Sequence, residues 1–206
     1  RIADQLLASK LRSAGAVLIQ GPKWCGKSTT AIQQAKSNLM LGNPQTLRDS
    51  RTLLSIDSSL IMNGKTPRLF DEWQTIPELW DTIRSEVDTR HELGQFILTG
   101  SAVPLETTQI QHTGTGRFAW LRMRPMSLWE SEESNGAVSL GELFSGLNKK
   151  VLGENKHTLQ DIAHILCRGG WPITLSQHPN DALQTAYNYV DAIAESDISR
   201  VDNTLR

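Results

Sequence analysis

The sequence predicts an α/β fold in which helices cover a mainly parallel β-sheet, and three observations lead to this prediction. The apolar run from Ala16 to Gln20 is typical of a buried strand, and a glycine-containing loop and a helical pattern from Ser28 follow it. A second apolar strand, Arg68–Phe70, ends in two adjacent carboxylates, Asp71 and Glu72. Strand and helix patterns also alternate along the N-terminal half of the chain, as they do in parallel sheets.

Length and composition limit the class of protein. The chain has 206 residues and a formal net charge of −1, which suits one domain, or one domain with a small appendage, and does not indicate a nucleic-acid partner. The two cysteines, Cys25 and Cys167, are too far apart in sequence to suggest a metal site or a disulfide framework, so we expect a reducing, cytoplasmic environment. No apolar run approaches the roughly 20 residues needed to cross a bilayer, so no membrane partner is expected.

The segment from Gly21 to Ser28 fits the pattern G-x-x-x-x-G-K-[ST], which is the phosphate-binding loop of nucleoside triphosphatases. Gly21 and Gly26 are expected to let the backbone curl, so that its N–H groups reach phosphate oxygens. Lys27 would place an ammonium on the β- and γ-phosphates, and Ser28 would offer a hydroxyl to Mg²⁺. We therefore predict ATP and Mg²⁺ as ligands, with nucleotide contacts from Gly21, Pro22, Lys23, Trp24, Cys25, Gly26, Lys27, Ser28 and Thr29.

The two carboxylates after the second strand predict the remaining metal and acid–base chemistry. Asp71 is expected to hold Mg²⁺ through its water shell, and Glu72 to accept a proton from the attacking water. The alternative is a surface strand end with two solvated acids. The adjacent pair favours activation of water over transfer of the phosphoryl group to a small substrate.

Another strand, Gly94–Ser101, ends in small polar residues. Thr99 and Ser101 are the candidates for sensing the γ-phosphate or orienting the water, and Ser101 is expected beside Asp71; the alternative is a plain strand-end turn. We expect this strand to lie between the two motif-bearing strands. The predicted parallel strands are Val17–Gln20, Leu39–Leu41, Arg68–Phe70 and Phe96–Thr99, with a fifth from Phe118 to Met123.

Two arginines are candidates beyond the loop. Arg117 follows a polar segment, residues 102–116, that we expect to be functional or mobile. It is predicted to supply positive charge to the transition state in its own subunit or in a neighbouring one. Arg168 ends a helix before two glycines and is predicted to reach phosphate with a planar fork that Lys would not reproduce. The alternative for each is a surface ion pair.

The helical patterns predict two regions. The helix from Pro77 to Val87 should turn Trp80, Ile83 and Val87 toward the sheet, with Trp80 in the core rather than in a ligand site. An acidic turn, 131–136, predicts a boundary between an ATPase core at 1–130 and a helical lid at 131–206. In the second region, Thr158 and Asp161 predict a capped helix start, and the last helix is expected from Asp181 to at least Arg200. We expect the chain to be part of a longer protein.

Taken together, these motifs resemble those of bacterial and archaeal AAA-type ATPases that join an N-terminal ATPase module to a C-terminal domain of unknown function. The resemblance implies a RecA-like P-loop NTPase core, built as a three-layer sandwich and followed by a small helical lid. It also implies that the loop 169–172 lies close to the nucleotide base, and that the family's C-terminal domain is absent. The matching segments are 21–28, 69–74, 94–101, 112–117, 124–130 and 168–172.

The predicted function is hydrolysis of ATP to ADP and phosphate, coupled to movement of the lid. Lys27, Glu72 and Arg117 are the expected catalytic residues. Two alternatives stay open: a nucleotide-gated module that regulates a protein partner with slow turnover, and a kinase for a small substrate. The sequence identifies no protein partner, and association with further copies of the chain is also left open.

Overall fold

The structure is a computed structural model that describes residues 1–101, 114–146 and 152–197. Two compact units are present, Arg1–Arg124 and Pro125–Arg206. Residues 102–113 of the polar segment predicted to be functional lie outside the described residues, as does the predicted end of the last helix beyond residue 197. No helix in the described ranges is both long enough and apolar enough to span a bilayer.

The N-terminal unit alternates helices and strands, as the sequence predicted. Its strands are β1 (Ala16–Gly21), β2 (Ser37–Met40), β3 (Arg68–Asp71), β4 (Phe96–Ser101) and β5 (Phe118–Arg122). Its helices are α1 (Ile2–Leu11), α2 (Lys27–Gln34), α3 (Pro44–Ile56), α4 (Ser58–Met62) and α5 (Leu79–Arg90), and a short 3-10 turn covers Trp73–Thr75.

The five strands form one parallel sheet in the order β2-β3-β4-β1-β5. The prediction that the Phe96 strand lies between the other two motif-bearing strands is confirmed, because β4 pairs with both β1 and β3. In a parallel sheet the carboxyl ends of all strands meet at one edge. The phosphate loop after β1 and the acidic end of β3 therefore lie on the same edge, with the end of β4 between them.

Helices cover both faces of this sheet because its strands alternate their buried side chains. On one face, Leu18 and Phe96 belong to the main apolar cluster, which includes Trp80, Ile83 and Val87 of α5. The predicted orientation of α5 is thus confirmed, and Trp80 stacks on Phe118 with ring centroids 4.1 Å apart. The opposite face carries buried residues such as Val17 and Ile97, and α1 and α2 contact the strands there.

The C-terminal unit is helical in the part that the structure describes. It contains α6 (Leu140–Ser145), α7 (Leu159–Arg168), a 3-10 segment at Pro172–Ser176 and α8 (Pro179–Ala192). The predicted cap of α7 is confirmed, because Thr158 and Asp161 exchange hydrogen bonds between side chains and backbone N–H groups. The last helix begins at Pro179, earlier than predicted, because proline suits the first helical turn. From Ile193 to Asp197 the hydrogen bonding is π-helical.

Candidate active site

The phosphate loop connects β1 to α2 through a backbone that turns sharply at its end. Gly26 has φ 96° and ψ 21°, a left-handed conformation that glycine adopts without strain, and it precedes the first residue of α2. The first intrahelical backbone bond runs from Thr30 N to Gly26 O at 3.0 Å. The N–H groups ahead of Thr30 are those that a helix leaves without an acceptor of its own, and groups of this kind suit an anion.

Gly21 is required for a different reason than the sequence predicted. It lies in β1 and pairs with Ser101. A Cβ at this position would lie 2.3 Å from the backbone oxygen of Met123 and 3.2 Å from Sγ of Cys25. Glycine at position 21 therefore permits close approach of the chain after β5, whereas the turn into the helix depends on Gly26.

The ammonium of Lys27 lies inside the loop. Its Nζ donates to the backbone oxygens of Gly21 at 2.9 Å and Pro22 at 2.8 Å. The Lys27 side chain is buried, although it carries a charge. A buried ammonium needs oxygen partners, and the loop supplies two of its own carbonyls.

Other loop residues differ strongly in exposure. Cys25 is fully buried, and its backbone oxygen accepts a hydrogen bond from Arg1 at 2.5 Å. Burial raises the pKa of the Cys25 thiol, and the nearby charge of Lys27 only partly offsets this. Trp24 is 63% exposed and has φ 63°, which is unusual for a residue other than glycine.

Three side chains from separate elements meet at the end of β3. The Ser28 hydroxyl donates to Oδ1 of Asp71 at 2.6 Å, and the Thr99 hydroxyl donates to the same oxygen. Asp71 and Thr99 are both buried. Mg²⁺ prefers oxygen ligands and usually takes one or two from the protein, with water and phosphate completing its shell. The hydroxyl of Ser28 and the carboxylate of Asp71 therefore fit this ion.

The register of β3 and β4 decides which small polar residue adjoins the acidic strand end. Asp71 pairs with Thr99, whereas Ser101 lies two positions further along β4 and pairs with Gly21. The expectation that Ser101 lies beside Asp71 is thus corrected, because strand pairing brings Thr99 there. A contact of Ser101 with nucleotide stays a prediction.

Glu72 follows Asp71 in a tight turn. Its φ of 57° and ψ of 44° are left-handed, and its backbone oxygen accepts bonds from Thr75 N at 3.1 Å and Thr75 Oγ1 at 2.9 Å. Its carboxylate accepts a hydrogen bond from Nε2 of Gln74. The sequence interpretation overlooked Gln74 as a site residue, although it stands only two positions after the predicted base.

Arg117 is not brought to the phosphate loop of its own chain. It precedes β5, and its backbone oxygen accepts from Ala16 N, the first residue of β1, at 3.1 Å. This is the amino edge of the sheet, and a six-residue strand such as β1 spans about 20 Å. The guanidinium donates to Asp88 at 2.8 and 3.2 Å. These hydrogen bonds lower the pKa of Asp88 and raise that of Arg117.

Arg168 lies buried in the C-terminal unit. Its guanidinium donates to the Glu133 carboxylate and, at 3.4 Å, to the Thr174 hydroxyl. The alternative of a surface ion pair is therefore corrected: the Arg168 side chain is buried, at 5% exposed, and its partner Glu133 is half-buried. Within the same unit Gly170 lies where a Cβ would approach the Met126 backbone oxygen to 2.1 Å. A contact of Arg168 with nucleotide stays a prediction.

A model of the family described as an AAA domain matches residues 13–132. The chain belongs to this family. The match contains the phosphate loop, the Asp71–Glu72 pair and Arg117, and membership supports nucleotide binding by this chain. A comparison with curated proteins gave no match.

Solved structures are similar at low identity. A Signal Transduction ATPase with Numerous Domains (STAND) protein with a tetratricopeptide repeat sensor, from Pyrococcus horikoshii, has 14% identity and a TM-score of 0.42 over 89% of this chain and 31% of that chain. PCH-2 of C. elegans has 11% identity and a TM-score of 0.37 over 94% and 67%, respectively. The AAA domain of FIGL-1 in complex with ADP has 13% identity and a TM-score of 0.40, over 100% of this chain and 76% of that chain. The chain thus spans about a third of the STAND protein, and likeness at this level carries no inference about function.

Proposed function

We propose that this chain binds ATP with Mg²⁺ and hydrolyses it to ADP and phosphate. The observation that carries this proposal is the convergence of Ser28 and Thr99 on one oxygen of Asp71, at the edge of the sheet where the phosphate loop begins. A loop of this kind supplies backbone N–H groups and an ammonium for phosphate, and Glu72 follows Asp71 directly.

Each of these residues has a role in the proposed reaction. Lys27 exchanges its loop carbonyls for phosphate oxygens and balances the charge that develops there. Ser28 and Asp71 would hold Mg²⁺, which would supply positive charge to the phosphates. Glu72 accepts the proton of the attacking water. The other loop residues, from Gly21 to Thr29, and Ser101 contribute nucleotide contacts.

Arg117 is proposed to act on nucleotide held by a neighbouring copy of the chain. Its position at the amino edge of the sheet separates it from its own phosphate loop, and its side chain is 43% exposed. The proposal therefore includes a homo-oligomer in the active form. An arginine acting in this way stabilises the charge of the transition state in other phosphoryl-transfer proteins.

The nucleotide state is proposed to reach the C-terminal region, residues 131–206, as movement of a lid. Arg168 would sense phosphate in that movement, exchanging Glu133 for the nucleotide. An unidentified protein partner would bind according to the position of the lid. We also propose that the protein is cytoplasmic. No nucleic-acid or membrane partner is proposed.

A second candidate is a nucleotide-gated binding module with slow turnover. One contact favours it: the Arg117 guanidinium is paired with Asp88 of its own chain. Steady-state phosphate release separates the candidates. With Mg²⁺, the hydrolase requires turnover well above that of Glu72→Gln and Lys27→Ala, and a chelator should abolish it. Tight ATP binding with turnover no faster than in Glu72→Gln would instead favour the module.

A further inference from the structure

We infer that Gln74 is a positioning residue for Glu72, and that position 100 is glycine so that Gln74 can reach its place. The inference rests on the proposed role of Glu72 as the base. It concerns a contact within the turn after β3, beside the end of β4, and involves neither Ser28 nor Asp71, the proposed metal ligands.

The backbone around Glu72 is held firmly. A left-handed conformation is unfavourable for a residue with a Cβ and persists only where surrounding contacts impose it. Here Thr75 supplies those contacts by donating to the Glu72 backbone oxygen from both its N–H and its hydroxyl. Gln74 belongs to the same turn, so its side chain starts from a fixed point close to the Glu72 carboxylate.

The chemistry of the amide fixes its orientation. Nε2 of Gln74 donates to Oε2 of Glu72. The reverse orientation would turn an amide oxygen toward an ionised carboxylate, and both groups are acceptors. The Gln74 oxygen Oε1 is buried and has no hydrogen-bond partner among the residues that the structure describes. The arrangement therefore leaves one buried acceptor unsatisfied while it keeps a donor on the base.

Gly100 provides the space for this amide. A Cβ at position 100 would lie 2.6 Å from Oε1 of Gln74 and 3.1 Å from Nε1 of Trp73. Any other residue would displace the end of the Gln74 side chain, which is flexible, before it disturbed the backbone. Gly100 directly follows Thr99, whose hydroxyl binds Asp71. The end of β4 thus supports both carboxylates. Thr99 donates a hydrogen bond to Asp71, and Gly100 leaves space for Gln74, which contacts Glu72.

A base that is held in place costs less to align in the transition state, and small misplacements of catalytic groups can lower rates by roughly 10²-fold. Gln74→Met keeps the approximate length of the side chain and removes the donor. We expect its kcat for ATP hydrolysis to fall about tenfold to 10²-fold with KM within about twofold of wild type. Gly100→Ala should likewise lower kcat and leave KM nearly unchanged. The double variant should be no slower than the slower single variant, because both act through one contact.

Gln45→Met is the matched control. Gln45 also donates an amide hydrogen bond to a carboxylate, that of Asp49 at 2.8 Å, but on the exposed side of α3. Its kcat should equal that of wild type. A normal or raised kcat for Gln74→Met would overturn the inference, as would independent, multiplying effects of Gln74→Met and Gly100→Ala.

The contact itself is tested without turnover. The side-chain amide resonance of Gln74 is assigned by its absence from the ¹⁵N spectrum of Gln74→Met. It should move in Glu72→Ala and stay unchanged in Glu78→Ala. If the resonance does not move in Glu72→Ala, the inference is overturned, whatever the rate of ATP hydrolysis. If wild type hydrolyses ATP no faster than Glu72→Gln, the proposed function itself fails, and the kinetic role of Gln74 fails with it even where the resonance moves.

Discussion

The hydroxyl of Ser28 lies 2.6 Å from Oδ1 of Asp71, although 43 positions separate the two residues in the sequence. This contact joins the helix after the phosphate loop to the end of β3. The strand order brings it about, since β4 separates β1 from β3 and contributes Thr99 to the same oxygen.

Asp71→Asn should remove the Mg²⁺ dependence of ATP binding. The amide keeps the shape of the side chain but loses the charge that a divalent cation requires. Titration of a fluorescent ATP analogue with and without Mg²⁺ measures the effect. Wild type should bind more tightly with the ion, and the variant should show little difference. Asp49→Asn, on the exposed side of α3, is the control. An unchanged effect of Mg²⁺ on ATP binding in Asp71→Asn would show that Asp71 is not a metal ligand.

Lys27→Ala should weaken ATP binding while the protein stays folded. A hydrogen bond to a charged group contributes about 1.5–3 kcal/mol, so the loss corresponds to roughly a ten- to hundredfold higher Kd. Circular dichroism checks the fold, because truncation also leaves the Gly21 and Pro22 carbonyls without this donor. Lys65→Ala, an exposed lysine, is the control. Unchanged affinity in folded Lys27→Ala would contradict the assignment of the loop.

Glu72→Gln should bind ATP with Mg²⁺ normally and hydrolyse it at least roughly 10²-fold more slowly, because the amide cannot accept the proton of water. Single-turnover phosphate release, with binding measured on the same samples, separates the two effects. Glu78→Gln, at the start of α5, should behave as wild type. Hydrolysis at the normal rate by Glu72→Gln would mean that another group is the base.

Arg117→Ala should abolish hydrolysis that depends on a neighbouring copy, with little change in stability, because an exposed ion pair such as Arg117–Asp88 contributes little. Wild-type activity per molecule should rise with protein concentration. A mixture of Arg117→Ala with Lys27→Ala should recover activity, since one copy keeps the arginine and the other keeps the loop. Mixing without recovery, together with inactive Arg117→Ala, would indicate a role within one chain.

Cys25 should react with thiol reagents much more slowly than Cys167, which is exposed. Burial raises the pKa of the Cys25 thiol above its ordinary value of 9.0, so at neutral pH it stays protonated, and its thiolate fraction increases only at higher pH. Iodoacetamide labelling followed by mass spectrometry measures both rates in one sample. Equal labelling of both cysteines in the folded protein at neutral pH would contradict this environment.

The separate roles of Thr99 and Ser101 show where prediction from the sequence stopped. Both residues end the same strand and both carry a hydroxyl, so the local pattern did not distinguish them. The choice depends on the register of β4 against β3, which pairs Thr99 with Asp71 across 28 positions of the chain. Gln74 was overlooked for a similar reason, because its contact with Glu72 depends on the turn geometry and on the space at Gly100.

The sequence by itself determined the alternation of strands and helices in the N-terminal unit, the phosphate-loop motif and the acidic pair at the end of β3. These are local features, since periodic burial and the chemistry of adjacent residues specify them. Only the tertiary structure decided that Thr99 joins Ser28 on Asp71, that Gly21 permits the approach of the chain at Met123, and that Arg117 lies at the amino edge of the sheet, paired with Asp88. Those relationships arise from strand order and register, which join residues far apart in the chain and which no local pattern specifies.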